Sequence, residues 1–381
     1  MLPRRVLVVG AGIGGLAVAA AMAKLGVDVE IVEINASHEV LGVGINQPAN
    51  GLRALRAIGV LDECIEAGYQ FDRARFCDAH GELIVEVPSG FDGDVPANNA
   101  LTRHDLQRIL LSAADRAGAK LRRGVTVSGL WQDEDRVQVE FTAGDWGEFD
   151  LVVAFDGIKS AMRRRLFGTE HEPVFSGYGV WRVTFPRPAD ITCSHVYQGI
   201  GSKPGVIPLN EREMYMFLVT PEPGQPRHDP ARFDDLVRER MEGFTGLPGE
   251  LRDSITGPEG IVYSPLNEVM LPLPWHHGRV VVLGDAAHAC APHLTQGAGM
   301  ALEDAVVLAE LLGTDMPVEQ ALTALGERRW PRCKLVQDVS HQILLSEMSV
   351  TAESLPDAIK RMRADLPGQT AQVAAVLNQP A

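Results

Sequence analysis

Apolar and polar residues follow two different patterns along this chain. Near the start, VLVV at residues 6–9 is an unbroken apolar run that predicts a buried strand. GAGIGG follows and opens an apolar helix that ends near Lys24, where Gly26 is suited to the C-terminal cap. VDVEIVE then predicts a second strand. The first forty residues therefore predict a complete βαβ opening.

From about residue 169 the pattern changes to alternating segments such as GYGVWRVTF and EMYMFLVT, which predict an antiparallel sheet. FCDAHGELIVEVP, between Phe71 and Asn98, is expected to join the same sheet. Alternation divides EMYMFLVT into two faces. One face carries Glu213, Tyr215 and Phe217, and the other Met214, Met216 and Leu218. Beyond Pro317 the sequence predicts two helices, over about 318–346 and 353–377.

Composition narrows the class of protein. The chain has 381 residues, 45% of them apolar, and 50 acidic against 35 basic residues give a net charge of -15. This charge opposes nonspecific binding to nucleic acid or to an anionic membrane, so we expect neither as a partner.

Five cysteines without CxxC spacing favour neither a disulfide framework nor a zinc site, and we expect no metal and a reducing cytoplasm. The early glycines argue against a secretory signal, and no long uncharged apolar run predicts a membrane span.

The opening unit contains the dinucleotide-binding pattern GxGxxG at Gly10, Gly12 and Gly15. The first glycine permits the tight turn, the second lets backbone approach a pyrophosphate, and the third allows close packing of helix and strand. Gly14 lies in the same stretch and belongs to the predicted site. Exposed N–H groups at the helix start supply the anion site. Glu33 ends the second strand, where its carboxylate can accept hydrogen bonds from both ribose hydroxyls, which favours FAD or NAD over NADP.

A second glycine-rich element, GDAAHACAPHLTQGAGMALED, occupies residues 284–304. An apolar strand precedes it, and its first glycine allows a turn that presents Asp285. An acid at that point is well placed to bind the ribityl hydroxyls, which FAD has and NAD lacks. The small residues Gly297, Ala298 and Gly299 let a flat ring lie against the start of the next helix, whose positive dipole end faces the ring.

These motifs resemble those of the FAD-dependent aromatic hydroxylases of the p-hydroxybenzoate hydroxylase and salicylate hydroxylase type, the class A flavoprotein monooxygenases. GxGxxG, a DG element at Asp156-Gly157 within LVVAFDGIKSAMR, and the GD element at Asp285 occur in the family order. Arg103, in LTRHDLQRILLSAA, looks like the family arginine that reaches the flavin from a helix start. The resemblance implies bound FAD, with Asp285 on the ribityl chain and the N–H groups of residues 297–299 at the pyrimidine edge.

The resemblance also implies a substrate site. In such enzymes a strand tyrosine and a basic residue on the preceding strand touch the substrate, and Tyr215 and Lys203 occupy similar places. Two interpretations stay open for each: Tyr215 as a core residue, and Lys203 as a solvated side chain. His293 is expected to contact the substrate or to fix its loop, and Arg182 to bind an anion or to form a surface pair. Asn46, in GINQPAN, resembles a residue of the family segment beside the flavin.

The predicted fold is α/β, a Rossmann-type FAD-binding domain with an inserted antiparallel-sheet substrate domain and C-terminal helices. We expect a discontinuous FAD-binding domain over residues 1–70, 101–168 and 268–316. The substrate domain is expected over 71–100 and 169–267, and the C-terminal helices over 317–381.

The reaction implied by the resemblance is hydroxylation of a small aromatic or N-heteroaromatic compound. NADH or NADPH, bound transiently, reduces FAD, O2 forms a flavin C4a-hydroperoxide, and one oxygen atom enters the ring. His293, Tyr215 and Lys203 are the candidates for activating the substrate. Two alternatives stay open: a flavin-dependent halogenase, although WRVTFP does not match the WxWxIP signature, and a non-catalytic flavin-binding regulator. The oligomeric state is expected to be monomer or homodimer.

Overall fold

The computed structural model describes residues 2–37, 43–91 and 93–381. The strands are β1 (Arg5–Val9), β2 (Asp28–Glu33), β3 (Gly44–Pro48), β4 (Tyr69–Phe71), β5 (Arg73–Asp78), β6 (Leu83–Pro88), β7 (Asn98–Thr102), β8 (Lys120–Arg123), β9 (Val127–Gln132), β10 (Val137–Phe141), β11 (Trp146–Phe149), β12 (Leu151–Ala154), β13 (Val174–Pro186), β14 (Ser194–Gln198), β15 (Lys203–Pro208), β16 (Glu213–Pro221), β17 (Val262–Glu268), β18 (His276–His277) and β19 (Val280–Val282). The helices are α1 (Ile13–Lys24), α2 (Ala49–Ile58), α3 (Leu61–Ala67), α4 (Arg103–Arg116), α5 (Ala161–Phe167), α6 (Phe233–Arg240), α7 (Gly246–Ser254), α8 (Asp285–His288), α9 (Gly297–Leu312), α10 (Val318–Met348) and α11 (Leu355–Leu377).

A largely parallel sheet has the strand order β18-β19-β12-β1-β2-β8. Its central strands pair in parallel, and β18 runs antiparallel to β19 at the edge. Strands β1, β12 and β19 are almost entirely buried, in a core to which α1, α9 and the three-stranded sheet β11-β10-β9 also contribute. The parallel order joins three distant chain segments and confirms the predicted α/β class.

Helix α1 packs closely on this sheet because its first turn has almost no side chains. A Cβ atom on Gly15 would collide with the carbonyl oxygen of Gly10, so the third glycine of GxGxxG is required by backbone packing. The helix ends at Lys24, and Gly26 follows with φ +83°, as its predicted capping role requires. Helices α4 and α9 flank α1.

The second large sheet has the order β17-β13-β16-β15-β14-β5-β6. Its pairs are antiparallel apart from the parallel contact of β14 with β5. Strands β5 and β6 come from the FCDAHGELIVEVP segment, as predicted. On β16, Met214, Met216 and Leu218 belong to a core shared with α6 and α7, whereas Tyr215 lies in a separate cluster with Ala100 of β7. The two predicted faces of EMYMFLVT are therefore confirmed.

Helices α10 and α11 complete the chain close to the predicted bounds. Helix α10 packs on α9, and α11 packs on β6. Arg53 and Arg332 donate hydrogen bonds to carbonyl oxygens at the end of α11, which ties the last helix to α2 and α10. None of the described helices is both long and apolar enough to cross a bilayer.

Candidate flavin and substrate site

The three glycine motifs meet around one side chain, Phe155, between β12 and the DG element. A Cβ on Gly10 would lie 2.5 Å from the Phe155 carbonyl oxygen, and one on Gly284 would lie 2.9 Å from its ring. A Cβ on Gly14 would collide with the same ring and would lie 3.2 Å from the Cβ of Ala301 in α9. Gly14 is therefore required by packing. The folded chain brings GxGxxG, DG and GD to one place.

Gly12 differs from these glycines because a Cβ there would meet no protein atom within 4 Å. It is the N-cap of α1, and this helix start has neither a side-chain cap nor an acidic residue in its first turn. Its N–H groups and positive dipole end therefore face open space suited to an anion. Nearby, the Ala11 N–H donates to Glu33 Oε2 at 2.9 Å, which places the Glu33 carboxylate beside the glycine-rich turn.

Asp156 lies beside the same turn but has partners within the chain. A Cβ on Gly10 would lie 3.3 Å from its Cα atom. Its carboxylate accepts hydrogen bonds from Ser160 Oγ at 2.6 Å and from the Met162 N–H at 3.0 Å, and burial raises its pKa. Asp156 therefore holds the start of α5, and its predicted contact with the cofactor stays a prediction.

The GD element presents its carboxylate outward. Asp285 is exposed although residues on both sides of it are buried, and a Cβ on Gly297 would lie 4.0 Å from Asp285 Oδ1. Gly297, Ala298 and Gly299 form the first turn of α9, which has neither a side-chain cap nor an acidic residue. The carboxylate and a free helix start thus lie side by side, as the predicted site requires.

Asn46 lies beside this helix start. Its Nδ2 atom donates to Asn98 Oδ1 at 2.8 Å and to Thr295 Oγ1 at 3.3 Å, while its Oδ1 atom is buried without a partner. Both amide atoms of the neighbouring Gln47 are also buried and unpartnered. Thr295 has φ +54°, an uncommon conformation for a β-branched residue. The turn before α9 is therefore held in an unusual shape against β3.

A buried ionic cluster supports α9 from behind. Asp304 accepts hydrogen bonds from Arg329 Nε at 2.8 Å and from the Gly284 N–H at 3.1 Å, and its other contact is with His288 Nε2 at 2.6 Å. Burial alone would raise the pKa of Asp304, but His288 and Arg329 outweigh it and lower the pKa to about 2. Glu303 pairs with Arg332 at 2.7 Å. His288 is thus a packed structural residue.

Helix α4 links the glycine-rich turn to the antiparallel sheet. Thr102 Oγ1 caps the helix by accepting from the Asp105 N–H at 3.0 Å. One turn after Arg103, Gln107 donates to the Ala11 carbonyl oxygen at 2.9 Å. The Arg103 charge also acts on Tyr215 and Arg182, which places the start of α4 between the two regions.

The candidate substrate residues lie on one side of the antiparallel sheet, here called the inner face: Arg182, Lys203, Tyr215 and Phe217. A row here means the residues that face one another across neighbouring strands. Arg182 of β13 and Phe217 of β16 share one row, Tyr215 lies in the next row on one side, and Lys203 lies in the next row on the other side. Rows on one face are about 7 Å apart along a strand. Burial raises the pKa of Tyr215 to about 12, with Arg182 and Arg103 opposing that rise. The Tyr215 hydroxyl is therefore protonated at neutral pH.

Two open interpretations of the basic residues are decided by these contacts. Lys203 is buried and pairs with Glu347 at the end of α10, so the solvated interpretation is wrong. Arg182 is partly buried, burial lowers its pKa, and no described carboxylate lies within ion-pair distance, so the surface-pair interpretation is also wrong. Arg182 thus keeps its charge available on the inner face.

His293 lies with Lys203 and Glu347. Its Nε2 atom is 3.5 Å from Glu347 Oε2, and both ring nitrogens are buried without a hydrogen-bond partner. Burial, aided by the Lys203 charge, lowers its pKa to about 2, so the imidazole is neutral. The fold therefore brings together two of the three predicted catalytic candidates, with Tyr215 in another row.

Sequence reasoning missed three contributors: Phe155, Gln107 and Glu347. Phe155 directly precedes the DG element, and Gln107 lies four residues after Arg103, so both stand beside quoted motifs. The i, i+4 spacing of Arg103 and Gln107 on one helix face offered a usable signal. Glu347 lies 144 residues from Lys203, and no local pattern links them.

The described residues fit FAD on structural grounds. Open space beside Gly12 meets an uncapped helix start, as a pyrophosphate requires. The outward Asp285 carboxylate suits a ribityl chain, and the uncapped start of α9 suits a ring edge that gains negative charge. The unpartnered amide atoms of Asn46 and Gln47 leave buried polar groups near α9 for a bound group to satisfy.

Comparison with known proteins agrees with this geometry. The family described as "FAD binding domain" matches residues 4–338. YetM of Bacillus subtilis (strain 168), whose name describes an FAD-dependent monooxygenase, is 34% identical over 90% of this chain and 93% of its own. The 2-heptyl-3-hydroxy-4(1H)-quinolone synthase of Pseudomonas aeruginosa is 33% identical, covering 88% and 87%. The 6-hydroxynicotinate 3-monooxygenase of Bordetella bronchiseptica is 32% identical, covering 88% and 90%.

Among solved structures, Klebsiella pneumoniae HpxO in complex with FAD and uric acid has the same fold. Its TM-score is 0.87 at 22% identity, with 97% of this chain and 96% of that chain covered. The fold, the glycine motifs around Phe155 and the relatives agree along nearly the whole length. This chain belongs to the FAD-dependent aromatic hydroxylases, the flavoprotein monooxygenases whose FAD binding domain it carries over residues 4–338.

Proposed function

We propose that this monooxygenase hydroxylates a small aromatic or N-heteroaromatic ring that carries an ionisable hydroxyl or ring carbonyl. One observation carries the proposal: Tyr215 and Arg182 occupy adjacent rows of the inner face, where the Arg182 guanidinium has no described ion-pair partner. A partly buried cation that has no described ion-pair partner and lies beside a protonated phenol suits an oxygen that gains negative charge. The names of the relatives, which include a hydroxynicotinate monooxygenase and a quinolone synthase, favour the same substrate class.

FAD, when bound, accepts a hydride from NADH or NADPH and activates O2, so that one oxygen atom enters the ring and the other leaves as water. Arg182 stabilises the anionic form of the ring oxygen, which enriches the ring in electrons. Tyr215 stays protonated because its pKa is raised to about 12, and it donates a hydrogen bond to that oxygen. Asp285 and the first turn of α9 hold the cofactor in register with this face.

Lys203 and His293 lie at the other side of the Arg182 row. Lys203 is paired with Glu347, and the neutral His293 packs beside them. We assign both residues to substrate positioning, and assign Tyr215 with Arg182 to activation. FAD contacts at Gly10, Gly12, Glu33, Asn46, Arg103, Asp156 and Asp285 form part of the same proposal.

The test uses purified, FAD-loaded protein. NADH or NADPH oxidation is measured with phenols, hydroxypyridines, quinolones and purines, and mass spectrometry follows the products. We expect at least one ring to accelerate oxidation severalfold and to gain a single oxygen atom. Arg182→Met should weaken that acceleration while leaving FAD bound. Halogen transfer to the ring, or ligand binding without turnover under any condition, would contradict the proposal.

A further inference from the structure

The Lys203–Glu347 pair joins two elements that meet over the inner face. Lys203 begins β15, and Glu347 lies in the last turn of α10. The two side chains are 7% and 17% exposed, and they form an ion pair. A pair this well buried fixes both charges in one place and leaves little net charge at that point.

Among the described residues, two titratable groups lie near this pair: His293, which contacts Glu347, and Glu268, which accepts from the Ala291 N–H and is itself paired with His341 at 2.7 Å. His293 is neutral because its pKa is lowered to about 2. The neighbouring side chains on β13, β16, α10 and the loop before α9 form an apolar cluster: Val180, Val219, Leu266, Ala291, Leu344, Phe217 and Met348. This end of the inner face is therefore electrically neutral and largely apolar, although it contains a lysine.

The part of the inner face around Arg182 differs in charge from the part around Lys203. Arg182 lies one row from Lys203 in the strand direction, about 7 Å, and two strands away across the sheet, about 10 Å. The neighbouring groups that act on it are Tyr215 and Arg103. Glu347 is not among them. Among the described residues, the inner face thus offers a cation without an ion-pair partner, Arg182, toward Tyr215, and a compensated cation, Lys203, toward α10.

We propose that Glu347 determines substrate specificity: by occupying Lys203 it makes the enzyme select rings whose substituent at the α10 end is uncharged, and reject rings carrying a carboxylate there. This inference rests on the proposed function, because it names the substrate class of that same site. A substrate carboxylate would have to displace Glu347 or lie beside its negative charge, and like charges in a desolvated site repel strongly. An uncharged apolar or amide substituent meets no such barrier.

The test measures binding without turnover. The probes are isosteric pairs that differ in charge: 3-hydroxybenzamide with 3-hydroxybenzoate, and 6-hydroxynicotinamide with 6-hydroxynicotinate. Each is titrated into the FAD-loaded protein without NADH or NADPH, and binding is followed by the absorbance change of the flavin and by calorimetry. For the unmodified protein we expect the amide of at least one pair to bind about tenfold or more tightly than its carboxylate.

Glu347→Gln should shift this ratio toward the carboxylate by at least about tenfold, because Lys203 becomes available as an anion partner. The double variant Lys203→Met/Glu347→Gln should return the preference to the amide, which a general loosening of α10 would not do. Glu353→Gln removes one exposed negative charge near the end of α10 and serves as the matched control, with an unchanged ratio expected.

Three results would overturn the inference: tighter binding of the carboxylate by the unmodified protein, a ratio that Glu347→Gln leaves unchanged, or no binding of either amide. The outcome is separate from that of the proposed function. A protein that shows the charge preference but never adds oxygen to any ring would refute the function alone, whereas hydroxylation with no charge preference would refute the inference alone.

Discussion

At the parallel sheet, glycines replace side chains: Gly12 leaves open space for the proposed cofactor, and Gly10 and Gly15 let the turn pack closely. At the inner face of the antiparallel sheet, the chain presents the long polar side chains of Arg182 and Lys203. Backbone N–H groups and helix ends bind a cofactor whose phosphates are always the same. A side chain on one face of a strand can be substituted without changing the backbone or the opposite face. This suits a substrate site, because the named relatives act on different substrates.

Substitutions in the glycine-rich turn before α1 should have the largest effect. Gly15→Ala places a methyl group against the Gly10 carbonyl oxygen, so we expect little or no folded, FAD-containing protein. Gly12→Ala meets no protein atom within 4 Å and should fold normally, yet bind FAD at least about tenfold more weakly. Thermal unfolding of the apoprotein and the flavin-to-protein absorbance ratio separate the two effects. Equal loss of stability in both variants would contradict this assignment.

The ionic cluster behind α9 provides the second test. Arg329→Met removes one of the buried cationic partners of Asp304 and of Glu303, and breaking such a pair costs about 3–5 kcal/mol of unfolding free energy. Arg328→Met, at the adjacent position, removes a partly exposed pair with Glu310 and should cost less than about 1 kcal/mol. Urea denaturation measures both. Similar costs for the two variants would show that the cluster does not support α9.

On the inner face, Arg182→Met should lower kcat/KM for a hydroxylated ring by about tenfold to a hundredfold, since a hydrogen bond to a charged group is worth about 1.5–3 kcal/mol. Unfolding free energy should stay nearly constant, because Arg182 has no described ion-pair partner to lose. Arg212→Met, in an exposed turn of the same sheet, is the control. A large loss of stability without a loss of activity would place Arg182 among the structural residues.

His293 gives a pH test with a definite sign. Its folded pKa of about 2 lies below the ordinary 6.5, so the unfolded chain binds the proton first and stability falls as the pH falls below about 6.5. Between pH 7 and pH 5 this residue alone should cost about 2 kcal/mol of unfolding free energy. His293→Gln should lack that component when the two proteins are compared by urea denaturation at both pH values. Identical pH dependence would mean that folding does not lower the pKa of His293.

The parts of the fold that follow from local pattern were predictable. GxGxxG, the apolar strands and the alternation of EMYMFLVT each depend on residues close together in the chain, and the structure confirms the elements and faces they predict. The predicted cofactor residues also share one region, because Gly10, Asp156 and Asp285 each follow a strand of the same parallel sheet. The carboxyl ends of parallel strands meet at one edge, so sequence order and strand type were sufficient.

Partners of individual charges were not predictable from the sequence. Nothing local distinguishes Lys203, which pairs with Glu347, from Arg182, which has no ion-pair partner in the described part of the chain, although both looked equally suited to an anion. The amino-acid sequence determined which elements form, where glycine is required and which cofactor fits. Only the tertiary structure decided which cation is neutralised, because that depends on a helix end 144 residues away reaching the sheet, and long-range approach leaves no periodic signal in the chain.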